Sequence, residues 1–404
     1  MPKTGRNEHA LLRQADLPLE VVILLIGGIT LLTTGVLLFP VSNGTLPYYE
    51  NGLYGLFLVI FALQILALGK TPFGDVRRSI LTFALGSLIA AAGIVTCFIP
   101  IPNQVPRVLL FVCFGPGGLL LLLQMIIAEG KLRSWVRYGG IFRHLVAACT
   151  AVYVLSMCIA LLLGLQTLLT TQAKAVVILV YGLAVVYLAA VLRNVYRAHP
   201  QAEKRPEDDH ELSTDQTLLL LMGVFMVILG LLLIPVSLGL LPFSASAQLG
   251  LLMVIFAVQM LAAGSTPIGA FPRSWLMIAV GFLFAALGVV SCIIPDVLVA
   301  PLTILVGVLN ILGGVIGLVK IAAARAARKS DEPRPLPLIL VRLSVVQLTM
   351  NMLAIMFGTS MLIPGLVPGL VIGVILAANG CVLLYLLSIL VALDTMRNDA
   401  LRAA

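Results

Sequence analysis

Long apolar runs, each of about 20 residues, alternate with short polar segments along almost the whole chain. A run of this length allows a helix to cross roughly 30 Å of hydrocarbon, and a helix satisfies its own backbone hydrogen bonds there. The pattern therefore predicts an all-α integral membrane protein with twelve transmembrane helices. The predicted spans are 19–40, 52–69, 79–99, 107–128, 145–165, 174–193, 216–236, 246–264, 274–295, 301–319, 340–362 and 369–393.

The basic residues are distributed unevenly between the two sides that twelve spans define. All but two of the 25 Lys and Arg residues fall in the termini or in even-numbered loops, and the two exceptions are Arg107 and Lys174. By the positive-inside rule, both termini and the even-numbered loops are predicted to be cytoplasmic. The first apolar run is too long for a cleavable signal, and no A-x-A-like site follows it, so we expect it to remain as the first helix.

The composition is far from that of a soluble domain. Hydrophobic residues make up 61% of the chain and charged residues 10%, whereas about 25% of the residues in soluble domains are charged. The net charge of +8 is explained by cytoplasmic loops that meet anionic lipid headgroups. Because no aromatic residues are interleaved with these basic ones, we expect membrane lipids as partners and no nucleic acid.

A second copy of the first hundred residues is visible in the sequence. "TPFGDVRRS" at 71–79 returns as "TPIGAFPRS" at 266–274, and the same shift of 195 relates "GIVTCFIP" at 93–100 to "GVVSCIIP" at 288–295. This similarity indicates an internal duplication. Because each half would contain six helices, the two copies are predicted to form a tandem parallel repeat. The predicted parts are a first six-helix repeat at 1–196, a polar cytoplasmic linker at 197–213 and a second six-helix repeat at 214–404.

Glycine pairs seven residues apart mark four odd-numbered helices. Seven residues are close to two helical turns, so both glycines of a pair lie on one face and form a groove that a neighbouring helix can approach closely. The repeating unit is predicted to be a two-helix hairpin with a short outer turn. The predicted packing glycines are Gly28, Gly35, Gly86, Gly93, Gly223, Gly230, Gly281 and Gly288.

These hairpins, with their glycine pairs, Pro-marked outer turns and basic inner loops, resemble the HdeD family of bacterial inner-membrane proteins. The resemblance is strongest over 21–128 and 216–322. Since members of that family have six helices, it implies two copies fused in tandem and a place in the bacterial inner (plasma) membrane. It also implies a role in acid resistance or envelope stress response, and it brings no catalytic residues to this chain.

Residue types that carry catalysis are scarce in the predicted spans. All 17 acidic residues lie in loops or near helix ends, and we interpret Glu20 and Asp215 as stabilising the N-terminal dipoles of the first and seventh helices. The four His residues share no metal-ligand spacing. The six Cys residues lie within or at the ends of apolar runs, where cysteine usually acts as a small hydrophobe. We therefore expect no enzymatic activity, no cofactor and no metal.

Uncharged amides are the polar groups that remain at membrane depth. They can form hydrogen bonds between helices, or they can form a polar midplane site for a small solute. The first-half counterparts of three of them are Gly115, Tyr153 and Tyr181, so such a site would be asymmetric. The amides are Gln64, Gln259, Asn310, Gln347, Asn351 and Asn379.

Three classes of function are open at this point. The first is a multi-pass protein without catalytic chemistry that acts in envelope or acid stress through membrane packing, a protein partner or homo-oligomerisation. The second is a small-solute transporter or channel; the lack of ionisable side chains near the centre of any span argues against proton coupling. The third is a membrane anchor subunit of a larger complex.

Overall fold

Twelve long helices make up most of the described chain. The computed structural model describes residues 17–75, 80–100, 102, 104–127, 140–165, 170–199, 213–266, 268–271, 273–328, 338–363 and 365–403. Each helix is long and apolar enough to cross a membrane, which confirms the predicted all-α, multi-pass class. The helices are α1 (Leu19–Ser42), α2 (Glu50–Leu68), α3 (Ile80–Phe98), α4 (Gln104–Ile127), α5 (Ile141–Gly164), α6 (Thr171–Ala198), α7 (Thr214–Ser237), α8 (Ala245–Ala263), α9 (Trp275–Ile293), α10 (Val299–Arg328), α11 (Leu338–Leu362) and α12 (Gly369–Ala403).

Helices α10 and α12 continue furthest past their predicted spans. Helix α10 extends to Arg328 and α12 to Ala403, whereas the apolar runs end near 319 and 393. The additional turns carry all the charged residues of these two helices, including Lys320 and Asp394. Hydropathy marks only the part of a helix that suits hydrocarbon, so the sequence pattern places the end of these helices too early.

The repeated stretch that follows α2 and α8 forms two small antiparallel hairpins. Each helix ends at a glycine in the left-handed region, Gly69 with φ 61° and Gly264 with φ 70°, as is common at helix C-termini. The Thr71 hydroxyl then donates to the Gly74 carbonyl over 2.8 Å, and Thr266 makes the same bond. The strands are β1 (Lys70–Thr71), β2 (Gly74–Asp75), β3 (Ser265–Thr266) and β4 (Gly269–Ala270).

The helices pack as two compact units. The first contains α1 to α6 together with α8 and α9, and the second contains α7, α10, α11 and α12. This division differs from the sequence boundary at 197–213, because α8 and α9 follow that boundary in sequence but pack with the first six helices. Positions 200–212 of the predicted linker lie outside the described residues.

In the first unit, the α2–α3 hairpin packs against the α8–α9 hairpin through reciprocal hydrogen bonds. The Tyr49 N–H donates to the Ile293 carbonyl over 2.8 Å, and the Ser244 N–H donates to the Phe98 carbonyl over 2.9 Å. These two bonds are related by the shift of 195 found in the sequence. Gly52 lies so close to α9 that a Cβ there would be 1.9 Å from a backbone carbonyl oxygen. The two bonds occupy equivalent positions of the two proposed copies, and the duplication itself stays a prediction.

The predicted packing glycines all face a neighbouring helix. A Cβ built on any of the eight would come within 3.0 Å of an atom of that neighbour. The pairs of α3 face α2 and those of α9 face α8, as expected for hairpins, whereas the pair of α1 faces α6 and the pair of α7 faces α12. Helix α1 accordingly packs along α6 much more extensively than along α2, so the two-helix hairpin is not the main packing pair there.

In the second unit, the helices contact one another in the order α7, α12, α11, α10. Helices α7 and α12 approach each other closely, since a Cβ on Gly230 would lie 2.3 Å from the backbone nitrogen of Ala377. Near the start of α7, the Gln216 side chain donates to the Asp394 carboxylate over 2.6 Å. The β3–β4 hairpin contacts α10.

We expect the connection between α1 and α2 to face the outside of the cell. Asn43 is exposed in that connection, and the charge distribution places it opposite Asp208. In a variant without the native cysteines, a membrane-impermeant maleimide applied to intact cells should label Asn43→Cys, and it should label Asp208→Cys only after permeabilisation. Labelling of Asp208→Cys in intact cells would contradict the predicted orientation.

Candidate ligand-binding cavity

Five helices of the first unit surround a cavity of about 700 Å³. They contact one another as a closed ring, in which α1 meets α6, α6 meets α5, α5 meets α4, α4 meets α2 and α2 meets α1. On α1 the lining residues run from Glu20 to Leu31, which is about 17 Å of depth at the rise of an α-helix. The volume lies within the range of roughly 300–1,000 Å³ that small-molecule sites occupy.

The middle of the cavity is apolar and is left open by a glycine. A Cβ on Gly27 would meet no atom within 4 Å, although this residue lines the cavity and its neighbour Gly28 is tightly packed against α6. The residue at the same position of the second copy is Met222. The small residue in the first copy therefore preserves the open volume. Its apolar walls include Ile23, Leu24, Leu145, Val152, Val185 and Leu188.

Aromatic rings form the deep end of the cavity, which we call the floor. The Phe114 side chain is 5% exposed, and its ring packs edge-on with Phe57, Phe61 and Tyr181 at centroid distances of 5.7, 5.3 and 6.1 Å. The Ser156 hydroxyl donates to the Phe114 carbonyl over 2.7 Å. Because edge-to-face ring contacts are directional, this cluster forms a well-defined limit to the depth of the cavity.

The opposite end of the cavity, which we call the mouth, is polar. The Glu20 carboxylate forms an ion pair with the Lys70 ammonium through one oxygen and accepts a hydrogen bond of 2.6 Å from the Tyr196 hydroxyl through the other. The Glu20 side chain is 15% exposed and that of Lys70 34%. Glu20 therefore does more than stabilise a helix dipole, since it joins α1, β1 and α6 at the mouth.

The β1–β2 hairpin is held against α4 beside the mouth. A Cβ on Gly117 would lie 2.7 Å from the Pro72 carbonyl oxygen, so only a glycine allows this approach. The Gln124 side chain donates to the Phe73 carbonyl over 3.1 Å. These contacts fix the strand that carries Lys70.

Gln64 presents an amide to the wall of the cavity. The residue is partly buried, and its side-chain amide makes no hydrogen bond to any other residue that the structure describes. An amide removed from water without a partner is costly. The side chain is therefore available to hydrogen-bond a molecule inside the cavity. Of the six amides singled out in the sequence, Gln64 is the one that lines this cavity.

Three of the other amides differ in burial and in hydrogen bonding. Gln259 is partly buried on α8 in the first unit, and Gln347 is exposed on α11 in the second. The Asn310 amide donates to the carbonyl of Val306 on its own helix over 2.9 Å. This bond satisfies the amide locally, as polar side chains in helices often do.

The remaining two amides lie on helices of the second unit. The Asn351 side chain fills the space beside Gly317 on α10, where a Cβ would be 2.2 Å from its oxygen. The Asn379 side-chain oxygen is buried, and no described residue donates a hydrogen bond to it. The predicted site that joins all six amides stays a prediction.

A second polar cluster lies beyond the floor. The Glu50 carboxylate at the start of α2 lies 3.8 Å from the Arg107 guanidinium at the start of α4. The Tyr54 hydroxyl also donates to Glu50. This cluster ties α2 to α4 at the end of the helix ring that is opposite the mouth.

Lys70 and Tyr196 are the mouth residues that the sequence reasoning missed. In the sequence, Lys70 is one of the many basic residues of the even-numbered loops, and the two residues meet Glu20 across 50 and 176 positions. A usable signal existed in the comparison of the two copies, because Ser265 replaces Lys70 and Met222 replaces Gly27 where the surrounding residues match. Such differences mark positions that packing alone does not explain.

Comparisons with known proteins do not identify a function for this chain. No three His, Cys, Asp or Glu side chains within the described ranges are grouped so that they could hold a metal ion. No family model, no curated protein and no solved structure matches the chain. The resemblance to the HdeD family therefore stays a prediction. The structure classifies the protein as a multi-pass helical membrane protein.

Proposed function

We propose that this membrane protein binds a small amphipathic molecule in the cavity of its first unit and acts on it without covalent chemistry, as a carrier or receptor. The cavity itself is the observation that supports this proposal. It combines a closed ring of helices, apolar walls and a polar mouth. Binding sites for small molecules typically combine an apolar lining with a few polar groups that fix orientation.

The distribution of polarity along the cavity favours an amphipathic ligand over a fully polar one. Every apolar square ångström that a ligand buries contributes roughly 25 cal/mol, and the wall between Gln64 and the floor offers mainly apolar surface. The ion pair of Glu20 and Lys70 stands at the other end. A ligand with one polar end and one apolar end matches both regions.

An imperfectly packed core would explain the cavity less well. Empty apolar volume destabilises a folded protein, and the destabilisation grows with the size of the void. The second copy carries Met222 at the position of Gly27, so a side chain that would fill this space is compatible with the repeated sequence. A ligand that occupies the cavity would explain why the open volume beside Gly27 is retained.

The sequence supports further roles that the cavity leaves open. The resemblance of the hairpins to the HdeD family supports action in envelope or acid stress, and ligand binding is compatible with it. A protein partner, homo-oligomerisation and an anchor role have no specific structural feature in their favour within the described residues. We retain the bacterial inner membrane as the proposed location and membrane lipids as the surrounding partners.

Filling the cavity is expected to prevent ligand binding. In bilayer nanodiscs, a monoacylglycerol with a photoreactive diazirine in its chain should crosslink to cavity residues such as Leu145 and Val185. The Gly27→Met change adds a side chain where there is open space, so crosslinking at these residues should fall at least fivefold. Mass spectrometry of the crosslinked peptides measures this yield.

The matched control places the same side chain outside the cavity. Val36 lies on the same helix and is 58% exposed, so Val36→Met should leave the crosslinking yield unchanged. Melting temperatures of both variants should match that of the parent protein, because neither new side chain meets a packed neighbour. Equal crosslinking in Gly27→Met and the parent protein would contradict the proposed function.

A further inference from the structure

We infer that the ligand of the cavity is an anionic single-chain lipid that carries a hydrogen-bonding group between its headgroup and its chain. The inference rests on the proposed function and names the ligand class of the same site. Three features support it: the unused donors at the mouth, the unpaired amide of Gln64, and the apolar space between this amide and the floor.

The mouth offers hydrogen-bond donors to a ligand but hardly any acceptor. Both oxygens of Glu20 are already engaged, by Lys70 and by Tyr196. The Thr71 hydroxyl donates to Gly74 and accepts from the Phe73 N–H. The Gln124 side chain donates to Phe73 and keeps its amide oxygen, a neutral acceptor. The Lys70 ammonium has three N–H donors, and Glu20 is the one partner that the described residues give it. The headgroup that complements this arrangement is an acceptor with negative charge, a phosphate or a carboxylate.

A cationic or zwitterionic headgroup fits the mouth less well. A quaternary ammonium group would need a free carboxylate or an open aromatic face, and Glu20, the carboxylate of the mouth, is shielded by its two partners. Near Glu20, the Phe142 ring already packs against the His199 ring, with 5.6 Å between centroids, and the Tyr196 hydroxyl is bonded to Glu20. The aromatic cluster around Phe114 lies at the other end of the cavity, at the floor. A net anionic headgroup is therefore favoured over phosphocholine.

Gln64 sets a second requirement at a defined depth. It lies four residues before the end of α2 at Leu68, which corresponds to about 6 Å along the axis of this helix, and Lys70 follows in β1. A purely alkyl segment at this depth would leave the amide unpaired, which weakens binding. A hydroxyl, an ester or an amide group there would form a hydrogen bond with it. A simple fatty acid lacks this group, whereas a lysophosphatidate carries both a hydroxyl and an ester next to its phosphate.

The remaining depth accommodates one chain. From Gln64 to Phe57 at the floor, α2 advances seven residues, or about 10 Å. The helices close the ring around this space, and the volume of about 700 Å³ lies in the range of small-molecule sites. One medium-length acyl chain fits this geometry, and the floor limits its length.

The headgroup preference is measured by competition. Lysophosphatidate, lysophosphatidylcholine and monoacylglycerol of one chain length each compete with the photoreactive monoacylglycerol for the protein in nanodiscs. Lysophosphatidate should halve the yield of cavity crosslinks at a concentration about tenfold lower than the concentration that either of the other two lipids requires. One charge-assisted hydrogen bond accounts for a difference of this size. The double change Glu20→Gln with Lys70→Gln should abolish this preference while the neutral probe still crosslinks.

The requirement for a hydrogen-bonding group is measured with Gln64→Leu. This change should weaken lysophosphatidate about fivefold and leave an alkyl phosphate, which lacks the hydroxyl and the ester, unaffected. The matched control is Gln259→Leu, which alters the corresponding amide of the second copy outside the cavity. An equal loss for both phosphates in Gln64→Leu would contradict the role assigned to this amide.

The outcomes separate this inference from the function on which it rests. Cavity crosslinks that all three competitors displace equally would overturn the anionic ligand and leave the proposed function intact. A preference for lysophosphatidate that survives the double change would overturn the role of Lys70. If the probe crosslinks only to outward-facing residues, both the proposed function and the ligand class are wrong.

Discussion

Replacing Gly230 by leucine is expected to destabilise the second unit by about 3 kcal/mol or more. A Cβ at this position would lie 2.3 Å from the backbone nitrogen of Ala377 and 2.5 Å from the carbonyl oxygen of Gly373. Backbone atoms cannot rotate away, so α7 and α12 would have to separate. Such overpacking typically costs 1–3 kcal/mol and more where no relaxation is available. The melting temperature of the purified protein should fall clearly, and its yield with it.

Two changes at positions with free space provide the controls. Gly27→Ala places a Cβ where no atom lies within 4 Å, and Leu119 is an exposed side chain on α4. Both Gly27→Ala and Leu119→Ala should keep the melting temperature of the parent protein. If Gly230→Leu melts together with these controls, the close approach of α7 and α12 is not a source of stability.

Removal of the Phe114 ring is expected to cost about 3–5 kcal/mol, the usual range for a buried Phe→Ala change. The ring contacts three other aromatic rings and is almost fully buried. Phe111 lies one turn earlier on the same helix and is 37% exposed, so Phe111→Ala should cost much less. Thermal unfolding of the two variants under identical conditions gives the comparison.

Loss of the floor should also change the ligand. Without the Phe114 ring, the cavity becomes deeper, and the proposed lipid could extend its chain toward the Glu50–Arg107 cluster. Phe114→Ala should therefore favour photoreactive probes with longer chains, whereas Phe111→Ala should keep the preference of the parent protein. An unchanged chain-length preference in Phe114→Ala would show that the floor does not limit the ligand.

Hydrophobicity and glycine spacing predicted the local features of the fold because both act over short distances. A run of apolar residues specifies a spanning helix wherever it packs, and Gly223 with Gly230 specifies a close contact wherever the partner is. Neither feature identifies the helix against which the segment packs. The glycines of α1 meet α6 rather than the next helix in sequence, and α8 and α9 pack with the earlier helices, so the pairing of helices required the structure.

The candidate site was less predictable because its parts are common residues brought together from distant segments. Gln64 was singled out as an amide at membrane depth, and Glu20 as an acid at a helix start. Their joint meaning depends on Lys70 and Tyr196, which meet Glu20 at the mouth. Open space has no sequence signature of its own, so the cavity became visible only through the packing around Gly27.

The reciprocal bonds between the α2–α3 and α8–α9 hairpins also determine when the protein can finish folding. The Tyr49 N–H can donate to the Ile293 carbonyl only after the ribosome has added more than two hundred further residues. Contacts between segments so far apart in sequence form slowly. Until then the face of α2 around Gly52, which packs on α9 in the folded protein, has no partner. A nascent chain that stopped after α6 would expose that face of α2, and the first unit would be complete only after α8 and α9 had been synthesised.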